Sequence, residues 1–227
     1  SSLTVTAKDS AGGFIGKATK LNLSFGDSAS IKPAKKVGDA STTYAGGAIG
    51  SVSFTGDFTL ESGQIDFGGN TLELGATKRA GGLFGRLDVT NGDVTVQGGI
   101  YKSKLSEGTD NNSGDTKNRG SYGGLVGNVY ATEKAAGNGL RAFRDGATTG
   151  DNPVTVEFEL ASALCYAGGI AGYVGDKSKG VQPVAIVLNG ASISCKGAAS
   201  ALNDNGRFGS AAGVLDMYDV LDIRNLT

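Results

Sequence analysis

Two cysteines, a repeated Gly-Asp dipeptide and one acidic run are the residues of this 227-residue chain that could do chemistry, and histidine is absent. Without His the commonest general base and the commonest transition-metal ligand are both missing, so a cysteine nucleophile would have no imidazole to activate it. Cys165 and Cys195 close two similar pentapeptides, Ala161-Ser162-Ala163-Leu164-Cys165 and Ala191-Ser192-Ile193-Ser194-Cys195, offset by 30 residues. If both lie at the same place in successive units, their Cα atoms stack about 4.8 Å apart, within the span a disulfide accepts. A Cys165–Cys195 bridge in an oxidising compartment is expected, with a pair of buried free thiols as the alternative. Asp57 and Asp93 each follow a glycine just ahead of an alternating run. A β-helical lyase or hydrolase would need such carboxylates to converge with Lys or Arg on a groove, but recurrence at equivalent places points to turn chemistry. Asp110-Asn111-Asn112-Ser113-Gly114-Asp115 has the composition of a calcium loop start, with Asp110, Asn112 and Asp115 as donors. Its glycine falls one place early and no Glu closes it, so calcium is a secondary expectation there and no other cofactor is expected.

These residues are set in a pattern that recurs six times: small or aromatic, Gly, Gly, apolar, apolar, Gly. The copies are Ala11-Gly12-Gly13-Phe14-Ile15-Gly16, Ala45-Gly46-Gly47-Ala48-Ile49-Gly50, Ala80-Gly81-Gly82-Leu83-Phe84-Gly85, Tyr122-Gly123-Gly124-Leu125-Val126-Gly127, Ala167-Gly168-Gly169-Ile170-Ala171-Gly172 and the degenerate Phe208-Gly209-Ser210-Ala211-Ala212-Gly213. From copy to copy the first glycine advances by 34, 35, 42, 45 and 41 residues. Recurrence at such steps marks stacked repeats, each burying its apolar face against its neighbours. The paired glycines are therefore read as structural. They do not form a phosphate loop or a dinucleotide fingerprint, because Gly81-Gly82-Leu83-Phe84-Gly85 lacks the Gly-Lys-Ser/Thr end and has no strand-helix context.

Each copy leads into a strand. Ala48, Gly50, Val52 and Phe54 share one parity and Ser51 and Ser53 the other, the period-two alternation of a strand with one buried face. Strict alternation leaves the second apolar position, occupied by Ile15, Ile49, Phe84, Val126, Ala171 and Ala212, pointing outward. Either the double glycine bends the strand or a cover hides this row, or the row is an exposed partner-binding stripe. A second strand is read at Gly56–Leu60, Gly92–Val96, Asn152–Val156 and Gln182–Ile186, and a third at Asn70–Leu74 and its equivalents. Three short strands per repeat, each paired to its match in the next, predict an all-β, right-handed parallel β-helix of about six coils, roughly 30 Å long. Two stretches exceed the minimal coil: Lys102–Gly120, and Thr132–Asp151 with a short helix expected over Glu133–Phe143. Insertions in solenoids project as loops and often carry binding.

Glycine, at 39 residues, runs well above its usual share of about 7%, yet it sits among alternating Val, Ile, Leu and Thr, which marks turns between strands. A net charge of -1 gives no general pull toward nucleic acid or an anionic membrane, and no apolar run nears the ~20 residues of a membrane span. In Gly81-Gly82-Leu83-Phe84-Gly85, Gly123-Gly124-Leu125-Val126-Gly127 and Gly168-Gly169-Ile170-Ala171-Gly172 the chain resembles the Glug-type repeats of bacterial surface proteins, found in large adhesins and in non-catalytic parts of some secreted proteases. The resemblance implies an extracellular, cell-wall or outer-surface region that displays or adheres, and it supplies no catalytic residue. The expectation is one structural and adhesive β-helix over residues 1–227, a fragment of a longer secreted or surface-anchored protein. It would bind a protein or glycan of a host or neighbouring cell through its insertion loops or a lateral face. Two alternatives stand beside it: a β-helical polysaccharide lyase or glycoside hydrolase, and an assembly module of an extracellular filament, self-associating through uncapped coil ends near Leu3 and Leu221.

Overall fold

The alternation seen beside the hexapeptides becomes strand structure along the chain. In Phe84–Thr90, Leu87 and Val89 are buried while Arg86, Asp88 and Thr90 lie partly out, and in Val154–Leu160 the same one-sided pattern runs unbroken. The computed structural model describes residues 4–21, 34–61, 65, 70–76, 78–90, 92–107, 120–131, 139–143, 153–160, 164–175, 184–197, 202–216 and 218–225. Among these the first passage of chain supplies β1 (Thr4–Val5), β2 (Ser10–Gly12) and β3 (Ile15–Leu21). The second supplies β4 (Lys36–Gly38), β5 (Tyr44–Gly46), β6 (Ile49–Thr55) and β7 (Phe58–Leu60), and the third β8 (Leu72–Gly75), β9 (Arg79–Gly81), β10 (Phe84–Thr90) and β11 (Asp93–Gln97). The fourth supplies β12 (Ile100–Glu107), β13 (Ser121–Gly123), β14 (Val126–Ala131) and β15 (Gly139–Phe143). The fifth holds β16 (Val154–Leu160), β17 (Leu164–Gly168), β18 (Ala171–Val174) and β19 (Val184–Asn189), and the sixth β20 (Ala191–Gly197), β21 (Leu202–Gly209), β22 (Ala212–Leu215) and β23 (Tyr218–Arg224).

Among the described residues the strands pair with their counterparts in adjoining passages, in parallel. The first sheet runs β1-β4-β8-β12-β16-β20, the second β2-β5-β9-β13-β17-β21, the third β3-β6-β10-β14-β18-β22 and the fourth β7-β11-β15-β19-β23. This all-β arrangement of parallel sheets is compatible with a β-solenoid. Full passages carry four strands where three were expected, because the hexapeptide is not one strand. It is an arch: β5 ends at Gly46, Gly47 and Ala48 form the tip, and β6 starts at Ile49. The tips form their own ladder, with amide-to-carbonyl distances of 2.9 Å from Ala48 to Leu83, 2.8 Å from Leu83 to Leu125, 3.1 Å from Leu125 to Ile170 and 3.0 Å from Ile170 to Ala211. Ala48, Leu83, Leu125 and Ile170 are all buried there.

The glycines make the arch by being small. A Cβ on Gly81 would stand 2.5 Å from the Gly127 nitrogen, and one on Gly127 would stand 2.5 Å from the Gly85 oxygen and 2.8 Å from the Ala80 nitrogen. Gly46, Gly123 and Gly168 meet the amide nitrogens of Gly85, Gly172 and Gly213 in the same way, at 2.6, 2.7 and 2.6 Å. The second glycines, Gly82, Gly124 and Gly169, would each drive a side chain into the tip of the following copy. None of these hexapeptide glycines has a positive φ; that conformation falls at Gly38, Gly56, Gly98, Gly99, Gly175 and Gly190.

The bend settles the row that alternation leaves outside. Ile49, Phe84, Val126 and Ala171 are 2% exposed or less, in register with one another and with Ile15 and Ala212 at the two ends, which are partly buried against the same core. The exposed stripe is therefore not formed, because the arch resets which side faces in. Phe84 packs edge-on to Phe54 at 6.0 Å, and Phe54 stacks on Phe58 at 4.5 Å.

The two insertions are also shorter than expected. Lys102–Glu107 belongs to β12, and Gly139–Phe143 is β15 rather than helix, with Leu140 opposite Val94 and Ile186 and fully buried. Ladder pairing and burial there override a local helical composition. Asn152–Val156 correspondingly is not the equivalent of Gly92–Val96, since β16 pairs with β12 and β20. Residues 108–119, 132–138 and 144–152, which hold the remainder of both insertions, lie outside the described residues. Phe84→Ala is expected to cost about 3–5 kcal/mol in urea unfolding, whereas an outward-facing Phe84 would give a change near zero.

Candidate functional site

Two rows flank the hexapeptides outside the core. The residue ahead of each copy gives Ser10, Tyr44, Arg79, Ser121, Tyr166 and Arg207, in register across the second sheet. The residue after its last glycine gives Lys17, Ser51, Arg86, Asn128, Tyr173 and Val214 on the third. Since the arch doubles the chain back, the two rows meet along its outer side. Arg86 lies over the Tyr44 ring at 5.9 Å and over Tyr130 at 4.9 Å, Arg79 over Tyr173 at 5.9 Å and Arg207 over Tyr166 at 5.8 Å. Tyr166 and Tyr173 tilt together at 5.7 Å. Each cation over a ring is worth about 0.5–1 kcal/mol when exposed and about 2 when desolvated.

Polar groups in this face are joined to one another. Arg86 donates through Nε and Nη2 to the two oxygens of Asp88, at 3.2 and 2.9 Å. Burial by itself would lower the Arg86 pKa, but the Asp88 charge and the hydrogen bonds with Asp88 and Tyr44 hold it above the ordinary value. Asn128 is fully buried and its Nδ2 donates to the Tyr173 main-chain oxygen at 2.9 Å, while its Oδ1 is buried without a hydrogen bond. The Tyr173 hydroxyl donates to Asp216 at 3.0 Å, and Ser121 Oγ to the Gly127 oxygen at 2.9 Å. Tyr130 and Tyr166 are only 3% and 4% exposed, so their rings are closed by arginine and neighbouring chain and do not offer an open stacking platform. On the inner side, Ser103 and the Tyr122 hydroxyl share a 2.7 Å hydrogen bond, and burial raises the Tyr122 pKa well above that of a free phenol.

The residues singled out from sequence fall apart as a site. Asp57 Oδ1 accepts the Asp93 amide hydrogen at 2.9 Å, beside Gly56 at φ 81°: this is turn chemistry carried from one repeat to the next. Cys195, in β20, stands opposite Phe158, whereas Cys165 is in β17 of a different sheet. The stacking expected from the matched pentapeptides is thus not formed. The reason is register: Ala191–Cys195 aligns with Val154–Phe158, one strand earlier than its sequence likeness. Cys195 carries a free, exposed thiol, whose pKa partial burial pushes up. Asp110, Asn112 and Asp115 lie outside the described residues, and among the described residues no three His, Cys, Asp or Glu side chains cluster to hold a metal ion. No helix there is long and apolar enough to cross a membrane.

The flanking Tyr-Arg rows were not reached by period-two reasoning, although their signal is simple: the same two offsets, one before and one after each hexapeptide, collect tyrosine, arginine and serine, three of each. No protein-family model matches the chain, and neither does a curated protein or a solved structure.

Removing one partner of the Arg86–Asp88 fork leaves a partly buried charge unpaired. Asp88→Asn is expected to destabilise by about 1–2 kcal/mol in urea unfolding; a change under about 0.5 kcal/mol would reduce the fork to an ordinary surface pair.

Proposed function

We propose that the chain is a right-handed parallel β-solenoid of about six coils, serving as a structural and adhesive module of a secreted or cell-surface bacterial protein. It meets a protein or glycan of a host or neighbouring cell through its lateral Tyr-Arg face or its insertion loops. The resemblance to Glug-type repeats supports the extracellular setting.

One observation carries the non-catalytic part of this reading: the charged side chains are taken up by partners in their own strand or in an adjoining repeat instead of facing an open groove. Lys102 and Lys104 bridge to Glu157 and Glu159 directly across the β12–β16 ladder, at 3.2 and 3.0 Å. Such exposed pairs are worth only some tenths of a kcal/mol each. Asp57 is spent on an adjoining amide and Asp88 on Arg86. Arg86 and Asp88 do satisfy the reach that a polysaccharide lyase or hydrolase would need, yet both carboxylate oxygens already accept from the one guanidinium, which favours a structural role.

A glycan array and whole-cell binding assay on the purified chain test the proposal, together with assays for newly formed reducing ends and unsaturated sugar products. Saturable binding is expected, weakened several-fold by the exposed-face variants Lys17→Glu with Arg207→Glu, and without product formation. Product release from any polysaccharide would replace the proposal with the enzymatic one, and absence of binding to every surface would remove adhesion from it.

A further inference from the structure

We propose that the outer face of the first sheet is an interface for a second copy of this chain, laid on it face to face with its repeats running the opposite way. Inward residues of this sheet, among them Tyr101, Ser103, Leu105, Val156 and Phe158, are buried. The alternate positions face out and carry a ladder of charge. Strand register places Lys36 beside Glu73, Glu73 beside Lys104, Lys104 beside Glu159 and Glu159 beside Lys196, so the sign alternates through β4, β8, β12, β16 and β20. Nearer the strand starts, Lys102 stands beside Glu157 and Ile100 beside Thr155.

Two features of this face point to a partner. Lys102, Lys104, Glu157 and Glu159 pair within the chain, yet their side chains stay between 28% and 41% exposed, so each can meet a further charge. Ile100 is 54% exposed, more than any other large apolar side chain among the described residues. It lies on β12, inside the sheet and not on an edge strand.

Period and sign select the occupant. Charges that alternate every ~4.8 Å are complemented by a surface with the same period and sign order, and the same sheet of another copy supplies both. Let the two-fold axis lie in the interface, along the strands and between β12 and β16. Then β12 of each copy covers β16 of the other, and β8 covers β20. Lys102 faces Glu157 of the second copy, Lys104 faces Glu159 and Glu73 faces Lys196, each contact occurring twice, while Ile100 is covered by Thr155 beside the axis. An axis along the stack of repeats would instead set each strand on its own counterpart and like charge on like, which is repulsive. Sheets packed face to face lie about 10 Å apart, a gap that a Lys and a Glu reaching toward each other span. Four strands of each copy overlap over roughly 20 Å by 20 Å, about 400 Å² per copy from strand spacing and rise. That is half of the ~800 Å² per partner of a standard stable interface, so the contact is weak and sensitive to salt. Being isologous, it closes at two copies.

Sedimentation velocity on the full 227-residue chain reads the outcome directly. Wild type should dimerise reversibly as concentration rises, and the dimer should weaken several-fold between ~0.1 M and ~1 M salt. Ile100→Lys should also weaken it several-fold. Lys17→Glu with Arg207→Glu, on the face of the Tyr-Arg rows, should leave it in place, so that self-pairing and adhesion to a foreign surface can each fail without the other. Exchanging Lys for Glu and Glu for Lys at all seven ladder positions keeps every pairing within the chain. That protein should dimerise with itself and form no mixed dimer with fluorescently labelled wild type, because like charges then meet across the interface. Circular dichroism of each variant separates lost association from lost fold, and Ile100→Lys decides the matter if the exchanged protein does not fold. A wild type that stays monomeric throughout, a dimer indifferent to Ile100→Lys, free formation of mixed dimers, or growth beyond dimers would each overturn the proposal.

Discussion

At the mouth of every hexapeptide arch main chain packs directly on main chain, and the rest of the structure depends on that contact. The last glycine of one copy sits against the strand leading into the copy before it: Gly85 on Ala45, Gly127 on Ala80, Gly172 on Tyr122 and Gly213 on Ala167. A methyl group at any of these points would have to push apart two strands held by ladders on both sides. Because the second and third sheets close to this distance, the tip between them reaches the core and brings Leu83, Leu125 and Ile170 with it. Packing at that density leaves little room for adjustment.

The same closeness decides where the side chains with chemistry end up. Residues one place before and one place after each arch are forced together on the outside, which gives arginines their tyrosine rings and Asn128 its buried place. Polar groups gathered by such a repeat are near their neighbours in adjoining copies, and they satisfy one another there. The Asp57 link to the Asp93 amide and the Lys-Glu pairs of β12 and β16 are of this type, while the Arg86–Asp88 fork lies within the single strand β10. Polar satisfaction between repeats adds to the ladder and makes a long molecule cohesive with few large side chains.

Much of this was legible in the sequence, and the failures have physical causes. The recurrence of Gly-Gly with two apolar residues was enough for stacked repeats with parallel strands, since the repeat distance and the alternation agree. The arch was legible only as one of several possibilities, because period-two counting assumes an unbroken strand and points Phe84 and Val126 outward; a bend at the double glycine is the alternative that their burial selects. Gly139–Phe143 and Asn152–Val156 carried no local mark of which sheet they join: that identity belongs to the partner strand, Asp93–Gln97 in one case and Ile100–Glu107 in the other. The cysteine pentapeptides show the same weakness, for similar composition placed Cys165 and Cys195 together while hydrogen-bond register put Phe158 beside Cys195.

Glycine serves two distinct purposes in this chain, and comparing them isolates the contact on which the arches rest. Gly56 has a positive φ of 81° and open space where a side chain would go, whereas Gly127 has no such φ and no space. Alanine at Gly56 therefore meets only the left-handed backbone cost of about 1–2 kcal/mol, while alanine at Gly127 must displace main chain in an adjoining repeat, at roughly 3 kcal/mol or more. Urea unfolding of Gly56→Ala and Gly127→Ala side by side is the most direct measurement. Gly127→Ala should be the more damaging by a clear margin, and a Gly127→Ala protein as stable as Gly56→Ala would show that the arches do not depend on contact between backbones.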